Sequence, residues 1–130
     1  MTTIDYHISP PTGNDELNGL FRAAWHEHTD RDFQAVLRHS LLYICAYHEQ
    51  QLIGFVNVAW DGGIHAFLLD TTVHPDFQRQ GIGVELVRRA AEGARERGID
   101  WLHVDYESHL KTFYEQCGFF PTEAGLMRMN

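Results

Sequence analysis

The feature that most constrains this chain is the junction around Pro75. A strand-like run ends at Val73, a short polar loop covers His74 to Gln80, and Gly81-Ile82-Gly83 opens a helical pattern that reaches Arg97. Ile82, Leu86, Ala90 and Ala94 fall on one face of that helix; Arg88, Arg89, Glu92, Arg95 and Glu96 occupy the other side, and Gly98 suits the position just past its end. A strand handing over to a glycine-opened helix is a recipe for an anion site. First-turn N–H groups lack intrahelical partners, the helix dipole adds partial positive charge, and glycines let a phosphate approach the backbone. The expected ligand is a diphosphate. A Gly-x-Gly pair at a helix start also serves turn geometry alone, so the pair needs support from elsewhere. A dinucleotide fingerprint fails because Leu86 stands at the third glycine position, and a P-loop fails because no Lys-Ser or Lys-Thr follows.

The remaining periodicities supply a frame for this junction. Ile4, Tyr6 and Ile8 alternate with polar residues as a half-buried strand does. Asn14 or Asp15 can cap a helix carrying Leu17, Leu20, Phe21, Ala24 and Trp25, and Asp30 or Asp32 can cap a second with Phe33, Val36 and Leu37. Leu42 to Tyr47 and Leu52 to Trp60 read as a hairpin, and Asp61-Gly62-Gly63 turns into a third run from Ile64 to Val73. After the long helix, Ile99 to Tyr106 reads as a strand, His109 to Gln116 as a short helix, and Phe119 to Met129 as a last strand or hairpin. Hairpins followed by β-α-β units predict an α/β fold: a mixed, mostly antiparallel sheet with helices on both faces.

With 130 residues the expectation is one domain over 1–130. No apolar run approaches the roughly 20 residues of a membrane helix, and the N-terminus lacks a signal-peptide pattern, which together point to a cytoplasmic protein. A formal net charge of −8 argues against a broad nucleic-acid surface and suits a cationic substrate such as an amine. Cys45 and Cys117, each beside apolar or aromatic residues, read as free thiols. Nine histidines raise the question of a metal, but the His26-x-His28 spacing puts two rings on different sides of a helix, and no metal-ligand motif accompanies them. No metal is expected.

The run Thr71-Thr72-Val73-His74-Pro75-Asp76-Phe77-Gln78-Arg79-Gln80-Gly81-Ile82-Gly83 resembles the central motif of the GCN5-related N-acetyltransferase (GNAT) superfamily, Gln/Arg-x-x-Gly-x-Gly/Ala after a strand. Downstream, Phe113-Tyr114-Glu115-Gln116-Cys117-Gly118-Phe119 is similar to the family's Tyr-Glu-x-x-Gly-Phe segment, at the expected separation. The element order matches across nearly the whole chain. The resemblance implies a sheet of about six to seven strands whose two central strands splay apart into a cleft for acetyl-CoA. Backbone N–H groups of Gln78, Arg79, Gln80, Gly81, Ile82 and Gly83 would hold the pyrophosphate. Thr71, Thr72 and Val73 would pair with the pantetheine arm, and the N–H near Thr71 would polarise the acetyl carbonyl. Tyr114 would protonate the departing thiolate, chemistry open to a hydroxyl that is neutral at pH 7. Packing beside Phe113 and Phe119 would explain the same tyrosine without catalysis.

The implied reaction is transfer of acetyl from acetyl-CoA to a primary amine by direct attack in a ternary complex. The expected acceptor is a small molecule; a protein amine and a non-catalytic acyl-CoA-binding module are the alternatives. The family's dimerisation through C-terminal strands implies a homodimer, with which Leu126-Met127-Arg128-Met129 is compatible. Two family positions differ here. Glu107 replaces an asparagine seven residues before the tyrosine, and Phe67 stands where some relatives carry a glutamate base. Asp70, His65, His103, Asp105 and Glu107 are the candidate bases, with 103, 105 and 107 on one strand face by alternation. Trp25, His26, Glu27 and His28 lie where the family's acceptor site is bordered.

Overall fold

The computed structural model describes residues 3–130. Strands β1 (Asp5–Ile8), β2 (Ser40–His48), β3 (Gln51–Trp60), β4 (His65–Val73) and β5 (Trp101–Val104) form one sheet in sequence order. Every neighbouring pair is antiparallel except β4 and β5, which run parallel. Helices α1 (Asn14–Ala24) and α2 (Gln34–Arg38) link β1 to β2, α3 (Ile82–Glu96) crosses from β4 to β5, and α4 (Lys111–Gln116) follows β5.

Strand alternation divides the core in two. Leu42, Ile44 and Ala46 of β2 point to the face covered by α3, where they cluster with Leu86, Val87 and Ala90. Tyr43 and Cys45 point the other way and pack with Leu17, Leu20 and Phe21 of α1 and with Phe33. The β2–β3 register skips Ile53, so Ile53 joins the α3 side along with its bulge neighbour Gly54. Gly54 is there for space: a Cβ would come within 3.1 Å of Leu86 and 3.2 Å of Ala46. Cys45 and Cys117 are both free thiols, and burial pushes the Cys45 thiol up to about 11.

Three sequence-based expectations need correction. Among the described residues the sheet has five strands rather than six to seven. Residues 119–130 form no strand, and Phe120, Leu126, Met127 and Met129 are exposed. Pro121 cannot donate to a ladder, and the polar run Thr122-Glu123 with Gly125 leaves too short an apolar alternation to pair stably. The strand expected from Ile99 is only Trp101–Val104, because Ile99 serves the end of α3. Gly98 adopts φ +85, its N–H donates to Arg95 and that of Ile99 donates to Ala94, a Schellman ending with Ile99 buried. The second helix shrinks to five residues and lacks buried side chains of its own.

Candidate active site

Two left-handed residues shape the start of α3. Arg79 has φ +64, and Gly81, the N-cap, has φ +79. Glycine suits position 81 because of that conformation; a Cβ there would meet nothing within 4 Å. The helix has no side-chain cap, and its first bond runs from the Glu85 N–H to the Gly81 carbonyl at 3.1 Å. The amides of Ile82, Gly83 and Val84 are thus left without intrahelical acceptors, as an anion site requires. Glu85, the only acid of the first turn, does not spoil that potential. Hydrogen bonds from Arg88 and Arg89, both at 2.6 Å, hold its carboxyl down at about 2 and neutralise its charge locally. Gln78, Arg79, Gln80 and Gly81 are exposed, and the Gln78 side-chain amide donates to the Val73 carbonyl at 3.3 Å.

Gly83 has a different reason to be glycine from the phosphate approach the sequence suggests. A Cβ at 83 would lie 3.2 Å from Phe113 Cε1 and 3.3 Å from its Cζ. That contact locks α4 against the start of α3. The residue after Phe113 is Tyr114, buried, stacked on Tyr106 (5.0 Å between ring centres) and edge-on to Phe113 and Phe119. Its hydroxyl reaches Thr71 Oγ1 at 3.5 Å, the outer limit of a hydrogen bond. Burial raises its pKa, more than the Thr71 contact lowers it, so the hydroxyl keeps its proton well above neutral pH.

The other side of the same strand end is built by distant chain. The β3–β4 register carries an extra residue on β4 between Leu69 and Thr72, where Asp70 has φ +59. The Thr72 hydroxyl, on the α1 face with its partner Phe55, donates to the Asp70 carbonyl at 2.8 Å and accepts from the Trp25 indole N–H at 3.1 Å. The Asp70 carboxylate lies 3.6 Å from Arg31, whose guanidinium rests on Phe33 at 4.6 Å. Thr71 and Thr72 therefore meet opposite faces of the sheet, Tyr114 on one and Trp25 on the other. The β4–β5 pairing stops at Leu68 and Val104, while β4 continues to Val73 bonded only to β3.

The five candidate bases are not brought together. Asp70 sits at this strand end. His65 Nδ1 and His103 Nε2 bond each other at 2.9 Å; His65 is six β4 residues, about 20 Å, from Thr71, and His103 sits beside Phe67, four residues from it. Asp105 and Glu107 are exposed just past β5, and Glu107 lies 3.6 Å from His109. His28 bonds Asn18 at 2.8 Å, and His26 lines an open depression with Trp25 and Glu27. Among the described residues, no three His, Cys, Asp or Glu side chains converge as metal ligands would. Sequence reasoning missed the Asp70 bulge and the Arg31 and Trp25 contacts; all three depend on residues far apart in the chain, and no local pattern announces them.

The chain belongs to the acetyltransferase (GNAT) family, whose profile matches residues 12–119. It is 26% identical over 109 residues to an uncharacterized N-acetyltransferase, ycf52, of Porphyra purpurea, covering 81% of this chain and 63% of that relative's length. The fold is also that of a GNAT family acetyltransferase from Streptococcus pneumoniae TIGR4, with a TM-score of 0.80 at 24% identity over 98% of both chains. An aminoglycoside N-acetyltransferase, AAC(6′)-Iy, solved in complex with CoA, superposes with a TM-score of 0.79 at 18% identity, covering 100% of this chain and 96% of that one. Among the described residues no helix is long and apolar enough to cross a membrane.

Proposed function

We propose that residues 1–130 act as one domain that transfers acetyl from acetyl-CoA to a primary amine, a small molecule in the first instance, by direct attack in a ternary complex. The observation that carries this reading is the pairing of two features across one glycine. The open amides of α3 and the protonated hydroxyl of Tyr114 are held together by the Gly83–Phe113 contact.

The residues present fit the co-substrate. Amides of the Gln78–Gly83 turn offer donors to a diphosphate, and Arg79 adds a full positive charge beside them. The outer edge of Leu69–Val73, which no strand covers among the described residues, offers backbone groups to an extended arm in the opening beyond Leu68 and Val104. Acetyl-CoA supplies the acetyl group as a thioester: the amine nitrogen takes the acetyl carbon, the carbon–sulfur bond breaks, and the sulfur leaves with that electron pair. Tyr114 gives the sulfur its proton. The Thr71 N–H stabilises the carbonyl oxygen while charge develops on it. The attacking amine loses its extra proton to a base or to water, and among the charged candidates Asp70 stands at the strand end where it is needed.

Thermal melting with acetyl-CoA, followed by an amine panel with thiol detection, tests the reading. A rise in melting temperature together with thiol release supports it. A rise with no turnover on any amine favours an acyl-CoA-binding module instead. The second copy expected of this family has its support at the far edge of the sheet. Among the described residues the outer side of β5 is unpaired, and Leu126, Met127 and Met129 are exposed in a segment, 119–130, without secondary structure. Sedimentation at two protein concentrations tests for that homodimer.

A further inference from the structure

The α1 face of the sheet is only half covered. Helices α1 and α2 bury Tyr43, Cys45 and Phe55 on β2 and β3; α1 also meets β4, where Trp25 at its end bonds Thr72, but it leaves Phe67 and Leu69 of that strand exposed. On β4 the contrast is residue by residue: Ala66 and Leu68, facing α3, are 0% and 3% exposed, whereas Phe67 and Leu69, on the opposite face, are 39% and 41% exposed. The parallel register puts Trp101 beside His65 and His103 beside Phe67 on that same bare face. The Phe67 and His103 rings stack with centres 4.9 Å apart, and the His65 bond holds His103 in that plane. A flat, largely apolar floor therefore runs along β4 and ends at Asp70, in front of the strand segment that Tyr114 reaches from behind.

We infer that the acceptor is a primary amine on a flat apolar body, an aryl-alkyl amine, lying on Phe67 and Leu69 with its ammonium toward Asp70. The inference rests on the transferase reading above. Three features carry it. Phe67 and Leu69 offer apolar contact and no hydrogen bonds, which suits an aromatic or alkyl body and not a polyhydroxylated amino sugar. The floor ends at Asp70, whose exposed carboxylate lies 3.6 Å from Arg31 with one side open to solvent, within a chain of net charge −8. That complementarity selects a cation at one end of an apolar molecule. The distances fit as well: Leu69 lies two residues from Thr71, about 7 Å along the strand, the reach of an amine on a two-carbon tether from a ring. Phenylalanine at 67 takes on a role in this arrangement where a carboxylate would not: it seats the body of the acceptor while Asp70 meets its charge.

The test compares 2-phenylethylamine with glucosamine, spermidine and a lysine peptide at saturating acetyl-CoA, in the wild type, Phe67→Ser and Asp70→Asn. The expected result is that 2-phenylethylamine leads the panel by roughly tenfold or more in kcat/KM. Phe67→Ser should remove most of that lead through KM while leaving the acetyl-CoA melting shift unchanged, which also shows that the variant folds. Asp70→Asn should weaken every amine and leave CoA binding intact. A preference for glucosamine, spermidine or the peptide overturns the inference, as does an unaltered amine profile in Phe67→Ser. So does a wild-type dimer that Phe67→Ser splits, because the bare face would then belong to a second copy. If acetyl-CoA binds and amines turn over without regard to their bodies, only this inference fails. If acetyl-CoA produces no shift and no amine releases thiol, the transferase reading fails and takes the inference with it.

Discussion

The two faces of the β4 strand end are made of different materials. Behind it, the start of α3 offers backbone: open amides, a left-handed glycine and a close glycine–phenylalanine contact. In front of it, side chains from three separate segments meet, with Trp25 on Thr72, Arg31 on Asp70, and Phe67 on His103. A surface made of backbone tolerates change in its side chains and holds one kind of ligand. A surface made of side chains is re-specified by single substitutions. On the proposed reading the fold fixes the donor, and the residues placed on it choose the acceptor.

The comparison can be broken in four places. Tyr114→Phe should lower turnover by about a hundredfold or more while leaving the acetyl-CoA melting shift as it is; a turnover near wild type on a verified acceptor removes Tyr114 from the chemistry. Gly81→Val forces a β-branched side chain into φ +79, a strain of about 1–2 kcal/mol, and should weaken acetyl-CoA binding roughly tenfold with the ranking of amines preserved. Titration calorimetry separates the two effects, and a changed amine ranking would show that the faces are not independent. Trp25→Phe keeps an aromatic side chain but loses the indole N–H bond to Thr72, a contribution of about 0.5–1.5 kcal/mol. It should raise acceptor KM a few-fold without moving acetyl-CoA affinity. The smallest effect is in pH. Because burial raises the Tyr114 pKa above its ordinary value of 10, the proton-donating form outlasts that of a free tyrosine. The fall of kcat on the alkaline side should therefore lie above pH 10, and a fall attributable to Tyr114 centred below 10 would contradict its burial.

The same division explains what the sequence disclosed. Helix α3 was legible because its apolar residues recur at helical spacing and its ends carry glycines, and the structure adds only that Gly81 answers to φ and Gly83 to Phe113. The hairpin from β2 to β3 was legible for the same local reason, although its skipped residue at Ile53 was not. Strand β5 was overestimated because Ile99 is apolar in either role, strand residue or helix stop, and only the Gly98 conformation decides between them. The chain end was overestimated because apolar residues at 126, 127 and 129 look like a strand when nothing indicates what they would pair with. The acceptor side was hardest to read. Aspartate tolerates φ +59 better than most residues but does not announce it, and the Arg31 and Trp25 contacts arise only after α1 and α2 have docked on the sheet.

The contact between Gly83 and Phe113 has a consequence for how this chain can change over generations. The two positions belong to one fitted pair, so neither can drift alone. A side chain gained at 83 must be answered by a shift or a smaller residue at 113, and the Phe113 ring keeps its close seat only while 83 stays bare. Since Tyr114 rides on the same short helix, any paired exchange also re-aims its hydroxyl. Descendants of this sequence should therefore keep both residues together or lose both together, while Phe67, exposed on the opposite face, is under no such constraint.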